Sequence, residues 1–288
     1  MTQPTPTLPP AYLIAQDVQR SLTEDLGING DITAALIKPD TQGIGRVITR
    51  ERCIVSGQPW VDECFRQIDP QLDLQWHCKD GDSADADQEL FRVQGNARAI
   101  LTAERSALNF LQMLSGVATE TGRYSSALLG TKTRVLDTRK TLPGLRVAQK
   151  YAVSCGGGIN HRMGLYDAFL IKENHIAAAG SIACAVDQAR QTGRGELIEV
   201  EVENFGQLKE AIDAGAQRIM LDNFSLKDTK KAVDLVRSQP TTQSIELEAS
   251  GGIELDRLGE IAATGVDYVS VGALTKHVKA VDLSMRFV

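Results

Sequence analysis

Eight basic side chains crowd one stretch of an acidic chain. Between Asp137 and His175 stand Arg139, Lys140, Arg146, Lys150, His161, Arg162, Lys172 and His175, against the acids Asp137, Asp167 and Glu173. The whole chain carries 31 Lys+Arg against 37 Asp+Glu. A run of like charge is most simply a solvated helix face. Here, however, several of the cations stand where short apolar runs stop. Residues 133–137 lead into Thr138, Arg139 and Lys140, and residues 167–171 lead into Lys172. Such runs read as buried parallel strands. Charges at strand ends in an α/β protein mark a site, and a cationic one holds phosphates and carboxylates.

Acids are placed to face them. Glu199, Glu201 and Glu203 alternate along one strand-like run and so share a face. Glu246, Glu248 and Ser250 do the same on another, and Asp222 ends the run Arg-Ile-Met-Leu-Asp. Both faces of a parallel sheet are covered, and burying an unpaired carboxylate is costly. These acids therefore need the cations at the other strand ends. Internal salt bridges alone would be a poor way to gain stability, so the pattern predicts a pocket of mixed charge. It suits a strongly anionic substrate that also brings a metal ion or hydroxyls, because carboxylates hold Mg²⁺ through water. Ser250-Gly251-Gly252 and Gly272-Ala273 end the last two strands. There they predict a phosphate cup of backbone N–H donors.

The elements that must position these residues show a change of rhythm at Gly130. Beyond it, strand-like runs at 134–137, 168–172, 198–202, 218–222, 245–249 and 268–272 alternate with helix patterns at 145–153, 182–191, 205–214, 227–236 and 255–263. That alternation means parallel βαβ units, either a doubly wound sheet or a small α/β barrel. No G-x-G-x-x-G lies between a strand and a helix, which argues against a dinucleotide site. Before residue 97 the pattern is mixed α+β. Helices are expected at 11–26 and 59–68, and strands at 45–49, 53–57, 72–76 and 90–93. The acidic segment 80–87 reads as an exposed loop, with calcium a weaker reading. A strong helix follows at 99–114, and from pattern alone its Glu104 and Arg105 read as a surface pair.

Bulk properties narrow the class. The length of 288 residues allows one large domain, or a barrel with a smaller domain. No run of 18 apolar residues exists, so no membrane span is expected. The start, MTQPTPTLPP, lacks a secretory or transit pattern and reads as a disordered tail. A net charge of −6 argues against general nucleic-acid binding. The five cysteines form no C-x-x-C pair, which fits reduced thiols in a cytoplasm. Cys155 reads as a small buried residue at a helix end rather than a nucleophile.

Read together, the motifs resemble the quinolinate phosphoribosyltransferase family. They run in order along nearly the whole chain: Glu24-Asp-Leu-Gly27, Gly30-Asp-Ile-Thr33, Glu104-Arg-Ser-Ala-Leu-Asn-Phe-Leu111, Asp137-Thr-Arg-Lys-Thr141, Asn160-His-Arg-Met-Gly-Leu165, Leu170-Ile-Lys-Glu-Asn-His175, Glu199-Val-Glu-Val-Glu203, Met220-Leu-Asp-Asn223 and Glu248-Ala-Ser-Gly-Gly-Ile253. The resemblance implies an N-terminal open α/β sandwich domain over residues 1–115, to which 276–288 return, and a C-terminal incomplete α/β barrel over 116–275. It implies transfer of phosphoribosyl from phosphoribosyl pyrophosphate to quinolinate, giving nicotinate mononucleotide, pyrophosphate and CO₂, with Mg²⁺ and no organic cofactor. It also implies a homodimer, or a higher even oligomer, with shared sites.

Carried onto this chain, the resemblance gives Arg139, His161, Arg162 and Lys172 to the quinolinate carboxylates, with Arg105 arriving from the partner subunit. Only the family moves Arg105 out of a surface pair. Lys140 lies toward the pyrophosphate, Glu201 and Asp222 toward the ribose hydroxyls and Mg²⁺, and Ser250, Gly251, Gly252, Gly272 and Ala273 toward the 5′-phosphate. Lys140, Lys172, Glu201 and Asp222 are the catalytic candidates. One departure is local: Thr275-Lys276-His277 stands where the commoner ending is Thr-His-Ser. Three alternatives remain at this point. They are a Schiff-base aldolase using Lys140 or Lys172, a repurposed relative such as the molybdenum-operon proteins, and a nicotinate phosphoribosyltransferase. The crowd of cations favours a dicarboxylate over the single carboxylate of nicotinate.

Overall fold

The computed structural model describes residues 6–288, so the first five residues of the expected tail lie outside it. The chain divides into two compact units. One runs up to Gly122 and takes in Thr141–Gly157 and Ala273–Val288, and the other comprises Arg123–Lys140 and Gly158–Gly272. Among the described residues no helix is long and apolar enough to cross a membrane.

In the first unit, helix Ala11–Leu26 buries Ile14, Val18 and Leu22, one residue per turn on a single face. Helix Gln58–Ile68 starts from Gly57, whose φ of 119° favours glycine, and has proline in its first turn. The N–H groups of Gly57 and Gln58 donate to Asp80 Oδ1 at 3.0 and 3.2 Å. Asp80 therefore closes a helix start instead of standing in a loose acidic loop. Its other oxygen accepts the Tyr151 hydroxyl at 2.8 Å, and burial raises its pKa.

The sheet of this unit is antiparallel, in the order Leu283–Phe287, Gln42–Thr49, Glu89–Asn96, Asp73–Trp76. The final strand pairs with Gln42–Thr49, Val47 standing opposite Met285. The last residues thus return to the N-terminal sheet. Helix Ala97–Ala127 is longer at both ends than the expected 99–114, mostly at its C-terminal end. The Leu-rich stripe stops at Leu114, but the helix continues through small residues. These admit close packing, since a Cβ on Gly116 would stand 2.1 Å from the Lys279 carbonyl oxygen.

The second unit is built on six parallel strands, in the order Arg134–Leu136, Tyr268–Ser270, Glu246–Ser250, Arg218–Asp222, Leu197–Val202, Ala168–Ile171. With the connecting helices this is the incomplete α/β barrel expected. The helices start where short polar side chains can take the first free N–H groups. Ser181, Asn204 and Ser225 accept from Cys184, Gln207 and Asp228 respectively. Helix Glu173–Ala179 has no apolar stripe and was not legible; its start is held by the Lys172 N–H donating to His175 Nδ1 at 3.0 Å.

Strand alternation sorts the side chains. Ile198, Val200 and Val202 bury one face of their strand, and Glu199 and Glu201 take the other. Glu203 does not join them, because it lies past the strand end and is exposed. Parallel register sets Glu199 beside Arg218 and Glu201 beside Met220, while Glu248 and Ser250 neighbour Met220 and Asp222.

Gly116→Ala should force a backbone carbonyl to move. We expect it to destabilise the chain by about 1–3 kcal/mol, the usual cost of overpacking, seen as a lower midpoint in chemical denaturation with an unchanged slope.

Candidate functional site

A basin of ≈ 460 Å³ opens at the C-terminal ends of the parallel strands. It gathers Arg139, Lys140, His161, Arg162, Lys172, Glu201, Asp222, Ser250 and Gly251 from the expected set. Gly272 lies beside them, where a Cβ would come within 3.0 Å of Lys140 Cδ. Gly252 is exposed with φ 54°. The remaining two expected residues belong to the first unit. Ala273 opens the short helix Ala273–Lys276. Arg105 stands exposed on helix Ala97–Ala127, with Glu104 4.0 Å away.

The cationic side is arranged against its own repulsion. Burial lowers the Arg162 pKa, and the charge of Arg139 lowers it further. Arg139 Nε is buried and has no hydrogen-bond partner. A donor left this way costs stability unless an acceptor arrives. A carboxylate suits that position, because guanidinium and carboxylate pair in charge-assisted hydrogen bonds.

The acidic side lies across the basin. Lys172 Nζ is ion-paired with Glu201 Oε2, whereas a Schiff-base lysine must be presented as a free amine. Asp222 ends its strand and is oriented by Asn223, whose side-chain amide donates to Asp222 Oδ2 at 2.8 Å. Asn223 holds φ 56°, uncommon outside glycine, and its N–H donates to the Ser250 carbonyl at 2.9 Å. Gly251 must be glycine on two counts, since its φ is 100° and a Cβ would meet Asn223 Oδ1 at 2.0 Å. Asn223 was quoted in a motif but given no role; its only sequence signal is an Asn directly after a strand-ending Asp. Glu201 and Asp222 are a thin donor set for a divalent ion held by protein alone. They suit a Mg²⁺ that keeps water ligands and rides on a phosphate.

Beneath the cations lies a buried layer in which His161 meets two of the inward acids. His161 Nε2 stands 2.9 Å from Glu199 Oε2 and 3.7 Å from Glu248 Oε2. Both carboxylates are fully buried, and the three side chains offer atoms within 4.8 Å of one another. Burial raises Glu199 to about 7, with the Arg218 charge opposing the rise. Burial, and then the charge of Glu199, raise Glu248 to about 8. At the N-terminal ends of the strands, Arg218 donates to Glu246 Oε2 at 2.7 and 3.0 Å and lies 4.4 Å from the Tyr268 ring centroid. The Tyr268 hydroxyl donates to Glu246 Oε1 at 3.0 Å. In the first unit the Cys155 thiol is buried and pushed up to about 11, unsuited to a nucleophile.

Comparison with known proteins agrees with this architecture. The model of the quinolinate phosphoribosyl transferase C-terminal domain matches residues 117–286, and that of the N-terminal domain matches 31–115. A probable nicotinate-nucleotide pyrophosphorylase [carboxylating] of Synechocystis is 40% identical, over 100% of this chain and 98% of its own. One from Bacillus subtilis is 43% identical over 91% of this chain and 89% of its own. The solved nicotinate-nucleotide pyrophosphorylase of Francisella tularensis superposes with a TM-score of 0.94 at 46% identity, covering 100% of both chains.

The raised carboxyls make a pH prediction. The folded Glu248 keeps its proton to about 8, well above the ordinary carboxyl value of 4.5. The unfolded chain gives that proton up first, so stability is highest below the unfolded value and falls as pH rises toward about 8. Glu248→Gln should flatten this fall. Denaturation free energies from pH 4 to pH 9 (roughly the window bracketing both values) check it, and an undiminished slope in the variant would refute it.

Proposed function

The chain belongs to the quinolinate phosphoribosyltransferase family, and on that premise we propose that its basin transfers phosphoribosyl from phosphoribosyl pyrophosphate to quinolinate, with loss of CO₂. One observation carries the reading. Two guanidiniums, Arg139 and Arg162, share a basin with the carboxylates Glu201 and Asp222. A pyridine dicarboxylate answers the first pair, and a polyhydroxylated, metal-bearing phosphate ester answers the second.

In this reading Arg139, Arg162 and Lys172 hold the quinolinate carboxylates, together with the partner subunit's Arg105. His161 belongs to the same cluster. Ser250, Gly251, Gly252, Gly272 and Ala273 receive the 5′-phosphate, and Glu201 and Asp222 meet the ribose hydroxyls. Mg²⁺, where bound, supplies charge stabilisation on the pyrophosphate. The pyridine nitrogen attacks the anomeric carbon, and the bond to pyrophosphate breaks with its electron pair leaving on oxygen. Lys140 stabilises that charge, while Glu201 and Asp222 favour the cation-like ribose. The ribosylated nitrogen is positive. It can therefore hold the electron pair left on the neighbouring carbon when CO₂ departs, before a proton fills it. No organic cofactor is needed, and the protein's work is placement.

The likeness to homologues along both domains supports a homodimer or higher even oligomer in which each site draws on its neighbour. Free cysteines throughout the described residues support a reducing, cytoplasmic setting.

A turnover assay with phosphoribosyl pyrophosphate and Mg²⁺, run in parallel on quinolinate and nicotinate, tests the reaction. We expect nicotinate mononucleotide and CO₂ from quinolinate and no product from nicotinate. Activity with nicotinate alone would refute the dicarboxylate reading, and inactivity with both in folded protein would favour a repurposed relative. Arg105→Ala and Arg139→Ala should each abolish turnover, and mixing the two should restore part of it. Absence of rescue in verified mixed dimers would count against a shared site.

A further inference from the structure

We propose that Glu199 and Glu248 are positioning residues of the quinolinate subsite, acting through His161 to fix Arg162. The assignment rests on the reading of the basin as a quinolinate site. It begins with the backbone of residues 161–164, which has no regular secondary structure. Four consecutive N–H groups there donate to side chains. His161 donates to Asp137 Oδ1 at 2.8 Å, and Arg162 donates to His161 Nδ1 at 2.8 Å. Met163 and Gly164 donate to the two oxygens of Asp167 at 2.6 and 2.9 Å. Arg162 is thus pinned from both sides, and its guanidinium is brought beside Arg139 despite their repulsion.

Three of these four acceptors are carboxylate oxygens. The fourth is a ring nitrogen, and it can accept only while it carries no proton. An imidazole that accepts at Nδ1 carries its proton on Nε2 when neutral. Nε2 is buried and turned onto Glu199 and Glu248. Those two carboxyls, on the strands that flank Arg218–Asp222 on either side, therefore set the tautomer and the plane of the ring. Glu199 also feels the charges of Arg218, Arg162 and Glu201, and Glu248 has Ser270 beside it. Residue type alone makes His161 a cation for the substrate. Its geometry makes it a neutral spacer, with Nδ1 accepting from Arg162 and Nε2 set 2.9 Å from Glu199 and 3.7 Å from Glu248.

The same three side chains could be mistaken for a metal site. A metal would need the Nε2 lone pair, and the proton would move to Nδ1. There it would face the Arg162 N–H, donor against donor, and the pin on Arg162 would be lost. The observed contact argues for the spacer.

Two measurements on the full-length protein test the assignment. Long-range proton–nitrogen correlation on ¹⁵N-histidine protein, with His161 identified by its loss in His161→Gln, reads the tautomer. We expect a neutral ring with its proton on Nε2, unchanged by saturating quinolinate. A proton on Nδ1, or a switch on adding quinolinate, would overturn the assignment. Kinetically, Glu199→Leu should raise KM for quinolinate roughly 10–100-fold while leaving KM for phosphoribosyl pyrophosphate within about twofold, and Glu199→Gln, which keeps an acceptor oxygen, should recover most of the loss. Should Glu199→Leu fail to fold, Glu199→Gln and the wild-type tautomer still decide. Equal effects on both substrates would overturn the assignment, as would a stoichiometric metal that copurifies and is lost with Glu199. Failure of the wild type to turn over quinolinate would overturn the functional reading and this assignment with it. Turnover with a protonated Nδ1 would overturn this assignment alone.

Discussion

Like charges held together are the constraint on which the second unit depends. Burial disfavours the charge of Arg162, and the neighbouring charge of Arg139 disfavours it further. Nothing in a folded chain favours that arrangement for its own sake. It persists because the surroundings over-determine it. Asp137, His161 and Asp167 hold the loop that carries Arg162, and the parallel sheet holds the rest. The strain is relieved by whatever anion enters. In the proposed reading, a doubly charged ligand offsets more of that cost than a singly charged one.

The barrel interior shows how that tension is balanced with depth. Nearest the opening, Lys172 pairs with Glu201. Below, His161 meets Glu199 and Glu248. At the strands' N-terminal ends, Arg218 is paired with Glu246 and lies against the Tyr268 ring. Each level carries both signs, so no charge is stranded far from a partner. The raised carboxyls of the middle level show that even this pairing does not make full ionisation comfortable there.

Much of this was legible in the sequence, for identifiable reasons. The six parallel strands are short runs, apolar or with apolar residues alternating with acids, and stretches of helical spacing separate them, so period marked them. The cations and acids of the basin stood at strand ends and could be named. Helix Glu173–Ala179 has no stripe to read. The extension of the long helix to Ala127 runs through Ser115 and Gly116, residue types that weaken a helical pattern, and only the segment packed on Gly116 explains them. Glu199 and Glu248 were visible as inward acids, but their link to His161 depends on three-dimensional register that spacing along one strand does not contain. Arg105 has no local mark at all, because a residue expected to serve a neighbouring subunit looks like any exposed arginine.

The return strand Leu283–Phe287 has a consequence for how the chain comes into being. It forms one edge of the N-terminal sheet, hydrogen-bonded to Gln42–Thr49. A chain leaving the ribosome presents residues 42–49 early and their partner near the end. Through most of synthesis the Gln42–Thr49 strand has an open edge, and open strand edges recruit other chains. The N-terminal sheet is thus completed by a strand that follows the whole second unit in the chain. Fusions or truncations that disturb residues 283–287 would act first on the domain farthest from them in sequence.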